Sequence, residues 1–345
     1  MSCTLKDVAK AAGVGVSTAS YVLSGSGLNK VADSTRERIL RTAAEMGYRV
    51  NMAGRMLHGA ASKTIGLLEC PRSVVIFSGL VPMVCHELKK RGYQTFYRGG
   101  DTPCDSDELN QEAIDDFISR GVDGILVACF GQIQTFPRDR CPVPMTVFGG
   151  RDWDVRVDLA QCAWLTARHL LEHGHRRIGF LLPDDKHNRD KLRGYRKALR
   201  EYSVTPDPAW LIKVCPTPDW RQEIERGIRR ERLTAICCSS DFYAVKLMTW
   251  LQWQGYRIPD DIAITGFDGI SLVDSLQIPL TTAVQPVEQL AVTLADTMIR
   301  KIETQTMSRL PKPIQLPGKL HIGHSCGCSA TAEPEIDWET VRMYL

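Results

Sequence analysis

Residues Thr4 to Gly25 read TLKDVAKAAGVGVSTASYVLSG, and their spacing sets the fold of the N-terminal part of the chain. Thr4 and Asp7 form a capping box: the Thr4 hydroxyl takes the amide of Asp7 while the carboxylate faces the positive helix end. Leu5, Val8, Ala9 and Ala12 then fall at i, i+3, i+4 and i+7, the apolar stripe of a short helix that Gly13 stops. After the turn at Val14 and Gly15, residues Val16 to Leu23 carry Ala19, Val22 and Leu23 on one face of a second helix. Two short helices joined across a glycine-containing turn make a helix-turn-helix.

The outward positions of that second helix, Ser17, Thr18, Ser20 and Tyr21, are small or hydrogen-bonding rather than the Lys and Glu of a solvated face. Such a surface can lie deep in the major groove, where hydroxyls serve both phosphates and base edges. A third helix is expected from about Asp33 to Met46, with Asp33 or Ser34 as N-cap, Glu37 completing a box with Ser34, and Gly47 at the stop. Charge agrees with this picture. Residues 1–64 hold nine Lys and Arg against four Asp and Glu, a balance of +5, so the whole-chain value of +3 leaves −2 for the other 281 residues. A basic end on a near-neutral body is the electrostatic footprint of a nucleic-acid binder.

Three runs now carry a family resemblance: TLKDVAKAAGVGVSTASYVLSG, then STRERILRTAAEMGYRVN from Ser34 to Asn51, then RMLHG leading into KTIGLL. Together they resemble the LacI/GalR family of bacterial transcription regulators, and the likeness extends over about residues 3–328. The resemblance implies that Val16, Ser17, Ser20 and Tyr21 face the major groove of double-stranded DNA. It implies that Leu5, Lys6, Thr35 and Tyr48 hold the phosphate backbone, and that Asn51 to His58 form a hinge helix, with Asn51 and Arg55 on DNA and Leu57 inserted into the minor groove. An apolar wedge between base steps costs a few kcal/mol of unstacking and bends the duplex for wider contact. Two hinge helices side by side require a homodimer on a near-palindromic operator.

Four positions depart from the family pattern. Tyr21 stands where many members place an Arg that reads guanine, so the operator half-site is expected to differ at that base. Ala32 replaces the usual Ser cap, Val50 the usual Pro before the hinge, and Gly54 a usual Ala, which costs about 1 kcal/mol of helix propensity.

From Lys63 onward, short apolar runs alternate with amphipathic helices. Strands are expected at Ile65–Leu68, Tyr93–Tyr97, Gly124–Ala128 and Met145–Phe148, with helices at Gly79–Arg91 and Asp107–Arg120. The cycle restarts with helix Ala163–His173, strand Arg177–Leu182, helices Lys191–Tyr202 and Trp220–Glu231, strand Ala235–Cys238, helix Phe242–Gln254 and strand Ile262–Thr265. This alternation argues for parallel sheets covered on both faces, in two half-domains that follow one another. No Gly-x-Gly-x-x-Gly follows the first strand and no Walker-type loop appears, so nucleotide chemistry has no support and no cofactor is expected. What remains is a ligand crevice at the strand ends.

HLLEHGHRRIGFL, RDKLRGYRKAL, the run from Asp241 to Gly269, PLTTAVQPVEQL and the ending GHSCGC resemble the family's periplasmic-binding-protein-like effector domain. The resemblance implies a cleft using Lys191, Trp220, Asp241 and Asp268, with Arg72, Phe77 and Arg189 near its mouth. Trp220 would stack on a sugar ring or base, and a carboxylate such as Asp268 would accept ligand hydroxyls. Lys191 departs from the usual Arg, offering a point charge in place of a planar fork. Gly149, Gly269 and Ser240 replace common Asp, Asp and Asn, leaving a cleft poorer in hydrogen-bonding side chains than in sugar-responsive members.

Arg72 interrupts the most apolar part of the chain, Ile65 to Cys85, so no membrane span is expected. The N-terminus has no apolar signal core, so a cytoplasmic location is expected. Most of the twelve scattered cysteines read as small buried hydrophobes there. His321 to Cys328 concentrates His and Cys but lacks paired Cys-x2-4-Cys knuckles, and His169 and His173 have no thiol or carboxylate evidently placed beside them, so no metal site is assigned. The fold class expected is α/β, a two-lobed doubly wound domain behind an all-α headpiece. The headpiece covers 1–50, a hinge helix and linker 51–64, the effector-binding and dimerisation body 65–328, and a tail 329–345. The tail is too short for the heptads of a tetramer-forming coil. The function expected is that of a repressor, not an enzyme, controlled by a small molecule of the carbohydrate class. Two other classes stay open: the same frame sensing metal or thiol state, and a sugar-binding protein without a regulatory role.

Overall fold

The computed structural model describes residues 3–24, 31–49, 61–70, 79–99, 107–129, 138–149, 152–183, 188–214 and 220–328. The chain divides into two compact units, Met1–Ser62 and Lys63–Leu345.

In the first unit, helices α1 (Leu5–Ala11), α2 (Val16–Ser24) and α3 (Asp33–Glu45) close around Ala9, Ala12, Ala19, Val22 and Ile39. The capping box forms as expected, with the Thr4 amide 2.9 Å from an Asp7 carboxylate oxygen and the Asp7 amide donating to the Thr4 hydroxyl. Gly13 ends α1 at φ +63, a left-handed conformation that lets Val14 donate its amide back to the Ala9 carbonyl. Arg38 of α3 donates to the Ala12 carbonyl at the negative end of α1 and so ties the third helix to the first. The expected cap of α3 does not form. Ala32 occupies the N-cap position with no side-chain hydrogen bond, and Asp33 is already inside the helix, where it pairs with Arg36 at 2.8 Å.

The second unit holds two six-stranded sheets. The first runs β11-β5-β4-β3-β1-β2 and the second β12-β10-β9-β8-β6-β7. Strands β1 (Thr64–Cys70), β2 (Gln94–Arg98), β3 (Gly124–Cys129), β4 (Met145–Phe148), β5 (Val155–Val157) and β11 (Ile314–Leu316) belong to the first lobe. The second takes β6 (Ile178–Leu182), β7 (Leu211–Lys213), β8 (Ala235–Cys238), β9 (Ala263–Asp268), β10 (Thr281–Val284) and β12 (Lys319–His321). Every pairing is parallel except β10 with β12. Helices α4 (Leu80–Lys90), α5 (Asp107–Ser119) and α10 (Val287–Glu303) cover the first sheet; α6 (Leu159–Glu172), α7 (Arg189–Glu201), α8 (Trp220–Arg229) and α9 (Asp241–Trp253) cover the second. No helix among the described residues is long and apolar enough to cross a membrane.

The two lobes do not simply follow one another. The chain leaves the first sheet after Val157, returns after Val284 to lay α10 and β11 on it, and crosses again after Leu316 to add β12 to the second. Leu290, Leu294 and Met298 of α10 are buried in the same core as Ile65, Leu67 and Leu88. The amphipathic pattern of α10 shows that it covers a sheet but carries no information about which one. In the second lobe, α6 and α7 pack so closely that a Cβ on Gly194 would lie within 2 Å of the Ala160 carbonyl oxygen, at 1.9 Å. Only a glycine fits there.

A buried ionic cluster pins the C-terminal return to the first lobe. Asp154, fully buried, meets Lys301 of α10 at 2.7 Å and Arg138 at 2.8 Å, and accepts the amides of Val147 and Leu310. Lys301 also donates to the carbonyls of Met145 and Ser308. Burial raises the Asp154 carboxyl, but the two cations and the two amides outweigh it and hold its pKa below the ordinary value.

Candidate functional site

The α2 face has the exposure that groove reading needs. Val16 is 43% and Tyr21 47% exposed, unusual for residues of their size; Ser17 and Ser20 are exposed beside them, and Thr18 is half-buried. Ala19 and Val22 turn inward, so burial and presentation separate cleanly around the helix. The neighbouring helices carry bases: Lys6 and Lys10 on α1, and on α3 Arg36, paired with Asp33, Arg38, bonded to the Ala12 carbonyl, and Arg41. Lys6 is exposed, while Thr35 and Tyr48 are half-buried at the two ends of α3. Leu5 packs against the headpiece core, so its contribution is to the position of α1 as much as to any surface. Asn51, Arg55 and Leu57 lie outside the described residues.

In the second lobe the strand order β7-β6-β8-β9 reverses direction between β6 and β8, the switch point at which doubly wound sheets open a crevice. Lys191, from the helix that follows β6, spans that point. Its ammonium donates to the Ser239 carbonyl at the end of β8 at 2.5 Å and sits 3.7 Å from the centre of the Phe267 ring. Burial depresses the Lys191 pKa, and the carboxylates of Asp268 and Asp241 oppose that shift. Strand β9 continues through Asp268, which is buried and held at φ +129, a strained conformation for a side-chain-bearing residue. Its carboxylate accepts from Gln285 at 2.8 Å, and burial pushes its pKa up to about 7, with Lys191 pulling the other way.

Asp241 belongs to the same polar cluster but has a structural set of partners. One oxygen accepts the Thr282 hydroxyl at 2.5 Å, the other the amides of Gly269 and Ile270 at 2.7 and 3.0 Å. The side chain is fully buried and fixes the turn after β9. Ser240, where the sequence departs from a common Asn, caps α9 by accepting the Phe242 amide. Trp220 meets Trp250 edge-on at 5.6 Å and lines a groove of about 610 Å³ with Phe242, Tyr243 and Trp253. Arg189 is exposed at the first turn of α7, and Arg72 and Phe77 lie outside the described residues.

The structure thus brings together Lys191, Asp241 and Asp268, and places Trp220 on a groove that also takes in Leu181 of β6. Sequence reasoning missed Ser239, Phe267 and Gln285, the groups that position the cluster. Gln285 had a readable signal, since it sits in the PLTTAVQPVEQL run that also supplies Thr282.

Comparison with known proteins bears on the whole chain. The family described as "Bacterial regulatory proteins, lacI family" matches residues 4–51, and the "Periplasmic binding protein-like domain" matches residues 167–326. The ribose operon repressor of Haemophilus influenzae is 30% identical over 321 residues, 87% of this chain and 92% of that protein. The chain belongs to the LacI family. Another relative of this LacI family member, the transcriptional repressor PurR of Photobacterium profundum, is 26% identical over 329 residues, 89% of this chain and 94% of that protein. Among solved structures, the lac repressor dimer bound to operator and the anti-inducer ONPF has the same fold, with a TM-score of 0.77, 23% identity, and 94% of this chain and 99% of that one covered.

Proposed function

We propose that the protein is a cytoplasmic DNA-binding transcriptional repressor, not an enzyme, whose operator affinity is set by a small molecule of the carbohydrate class bound between the two lobes. The observation that carries this reading is the α2 face: an exposed, uncharged, hydroxyl-rich surface on a compact unit of its own that is rich in bases. Val16, Ser17, Thr18, Ser20 and Tyr21 read the major groove; Leu5, Lys6, Thr35 and Tyr48 fix the frame; Asn51, Arg55 and Leu57 act in the minor groove. The operator-bound form is a homodimer, so two units of +5 each approach one near-palindromic site, and affinity falls steeply with salt.

The carbohydrate class rests on Asp268 and Lys191 at the strand ends, on the aromatic wall around Trp220, and on similarity to a ribose operon repressor. A ligand that draws the lobes together acts through the three chain crossings, and what it adds to or removes from DNA affinity, DNA returns to ligand affinity by the same factor. Two measurements test the reading. Selection from random duplex DNA should return a near-palindrome whose binding Leu57→Ala strongly weakens with dimerisation intact; sequence-independent binding overturns it. Thermal-shift screening of sugars and nucleosides should give hits that Asp268→Ala and Trp220→Ala abolish, and hits indifferent to both move the effector elsewhere.

A further inference from the structure

His169 and His173 sit one turn apart on the last turns of α6, and Cys326 and Cys328 lie about 155 residues further along the chain. The fold joins them. The His169 Nε2 is 3.2 Å from the Cys326 Sγ and 3.5 Å from the Cys328 Sγ, and the His173 Nε2 is 2.9 Å from the Cys328 Sγ. The expectation that no thiol stands beside His169 and His173 is therefore corrected: the chain end after β12 folds back under α6 and supplies two. This end of α6 leads into the start of β6, so the cluster lies at the opposite end of the strands from Asp268, which closes β9.

Both arms are held in place. Ser325 accepts the Thr281 amide and donates to the Ile264 carbonyl, and Gly327 turns at φ +93, which brings the two flanking thiols round to the same helix. The Nδ1 of His173 faces the His169 carbonyl at 2.8 Å, leaving its Nε2 directed at Cys328. This is the outer hydrogen bond that fixes the tautomer of ligating histidines. Thr281 donates to the Cys326 Sγ at 2.9 Å.

We propose that His169, His173, Cys326 and Cys328 form a zinc-class metal site that fastens the end of the second lobe to α6. With metal–nitrogen bonds of about 2.0 Å and metal–sulfur bonds of about 2.3 Å in a tetrahedron, ligand atoms stand roughly 3.5 Å apart; the His169, Cys326 and Cys328 ligand atoms all lie within 4.8 Å of one another, and His173, which already touches the Cys328 Sγ, completes the tetrahedron by a side-chain rotation. Two imidazoles and two thiols without a carboxylate favour zinc over magnesium or calcium. His169 and Cys326 are buried and His173 is exposed, so the site is anchored on its inner side and reachable from solvent. On binding, the ion displaces the thiol protons to solvent and makes bonds to both sulfurs.

The test uses the full chain, fully reduced, stripped with a chelator and reloaded with stoichiometric Zn2+ or Co2+. The expected result is one ion per chain, with Co2+ giving the intense visible bands of tetrahedral coordination and a sulfur-to-metal charge-transfer band. His173→Ala and Cys328→Ser, both at positions not fully buried, should keep the thermal transition of the apo protein and lower metal affinity by at least about tenfold, the floor set by losing even an outer partner. Cys326→Ser with Cys328→Ser should abolish the charge-transfer band. Failure of the reduced chain to retain zinc above the double variant overturns the proposal. So does retention unaltered in both single variants.

Discussion

Tyr21 and Val16 stand nearly half exposed on α2, whereas Asp154, Asp241 and Asp268 of the body are buried with their oxygens engaged by lysines, hydroxyls, amides and a glutamine. The two regions use polar chemistry in opposite ways. On α2 the hydrogen-bonding groups face solvent and contribute little to the core that Ala19, Val22 and Ile39 build. In the body, each carboxylate joins segments far apart in sequence, so the same groups that shape the crevice also hold the lobe together. Recognition and stability are separable in the first region and entangled in the second.

The largest expected effect tests the entangled side. Asp154→Ala leaves Lys301 buried without its anion and Arg138 with Asp152 alone, and should lower the unfolding free energy by about 3–5 kcal/mol, read by denaturant titration; a loss below about 1 kcal/mol would falsify the structural role given to the cluster. On the separable side, Tyr21→Ala should cost about 1–3 kcal/mol of operator affinity and shift unfolding by no more than about 0.5 kcal/mol. A variant that loses stability along with binding would erase the contrast.

Asp268 sharpens it further through pH. Its folded pKa, about 7, lies above the ordinary carboxylate value, so the folded protein binds the extra proton and stability falls as pH rises from about 4 to about 7. Asp268→Asn should remove that part of the slope, checked by melting temperature against pH. An unchanged slope would mean that Asp268 ionises freely in the folded state. The smallest effect concerns the missing cap of α3: Ala32→Ser should raise headpiece stability by about 0.5–1 kcal/mol, seen as a higher transition of the isolated unit's helical signal, and leave operator sequence preference untouched.

The headpiece was legible almost residue by residue, because caps, apolar stripe and turn glycine are local signals; the exception, α3, shows that Asp33 and Ser34 in the right neighbourhood do not displace Ala32 when the backbone already extends there. The body's alternation of strands and helices was equally plain, while its connectivity was not. Short strands such as β7 and β12 hold three residues each and leave no periodicity to read. Of the cleft residues expected from the sequence, the structure sets Lys191 beside Asp268 and turns the Trp220 ring to Trp250, a contact that the sequence did not signal. The His and Cys pairs were each visible and their meeting was not, since contact across some 155 residues is a property of the fold alone.

The return of the chain to the first lobe bears on how the protein is made. Neither sheet is complete until residues 314–321 have been synthesised, because β11 and β12 supply the last strand of each. The headpiece core, by contrast, is entirely contained in residues 5–43. During translation the DNA-reading unit can therefore be finished well before the sensor that governs it. A product that stopped short of Val287 would carry a folded headpiece core on a body without α10, unable to cover Leu67 and Leu88.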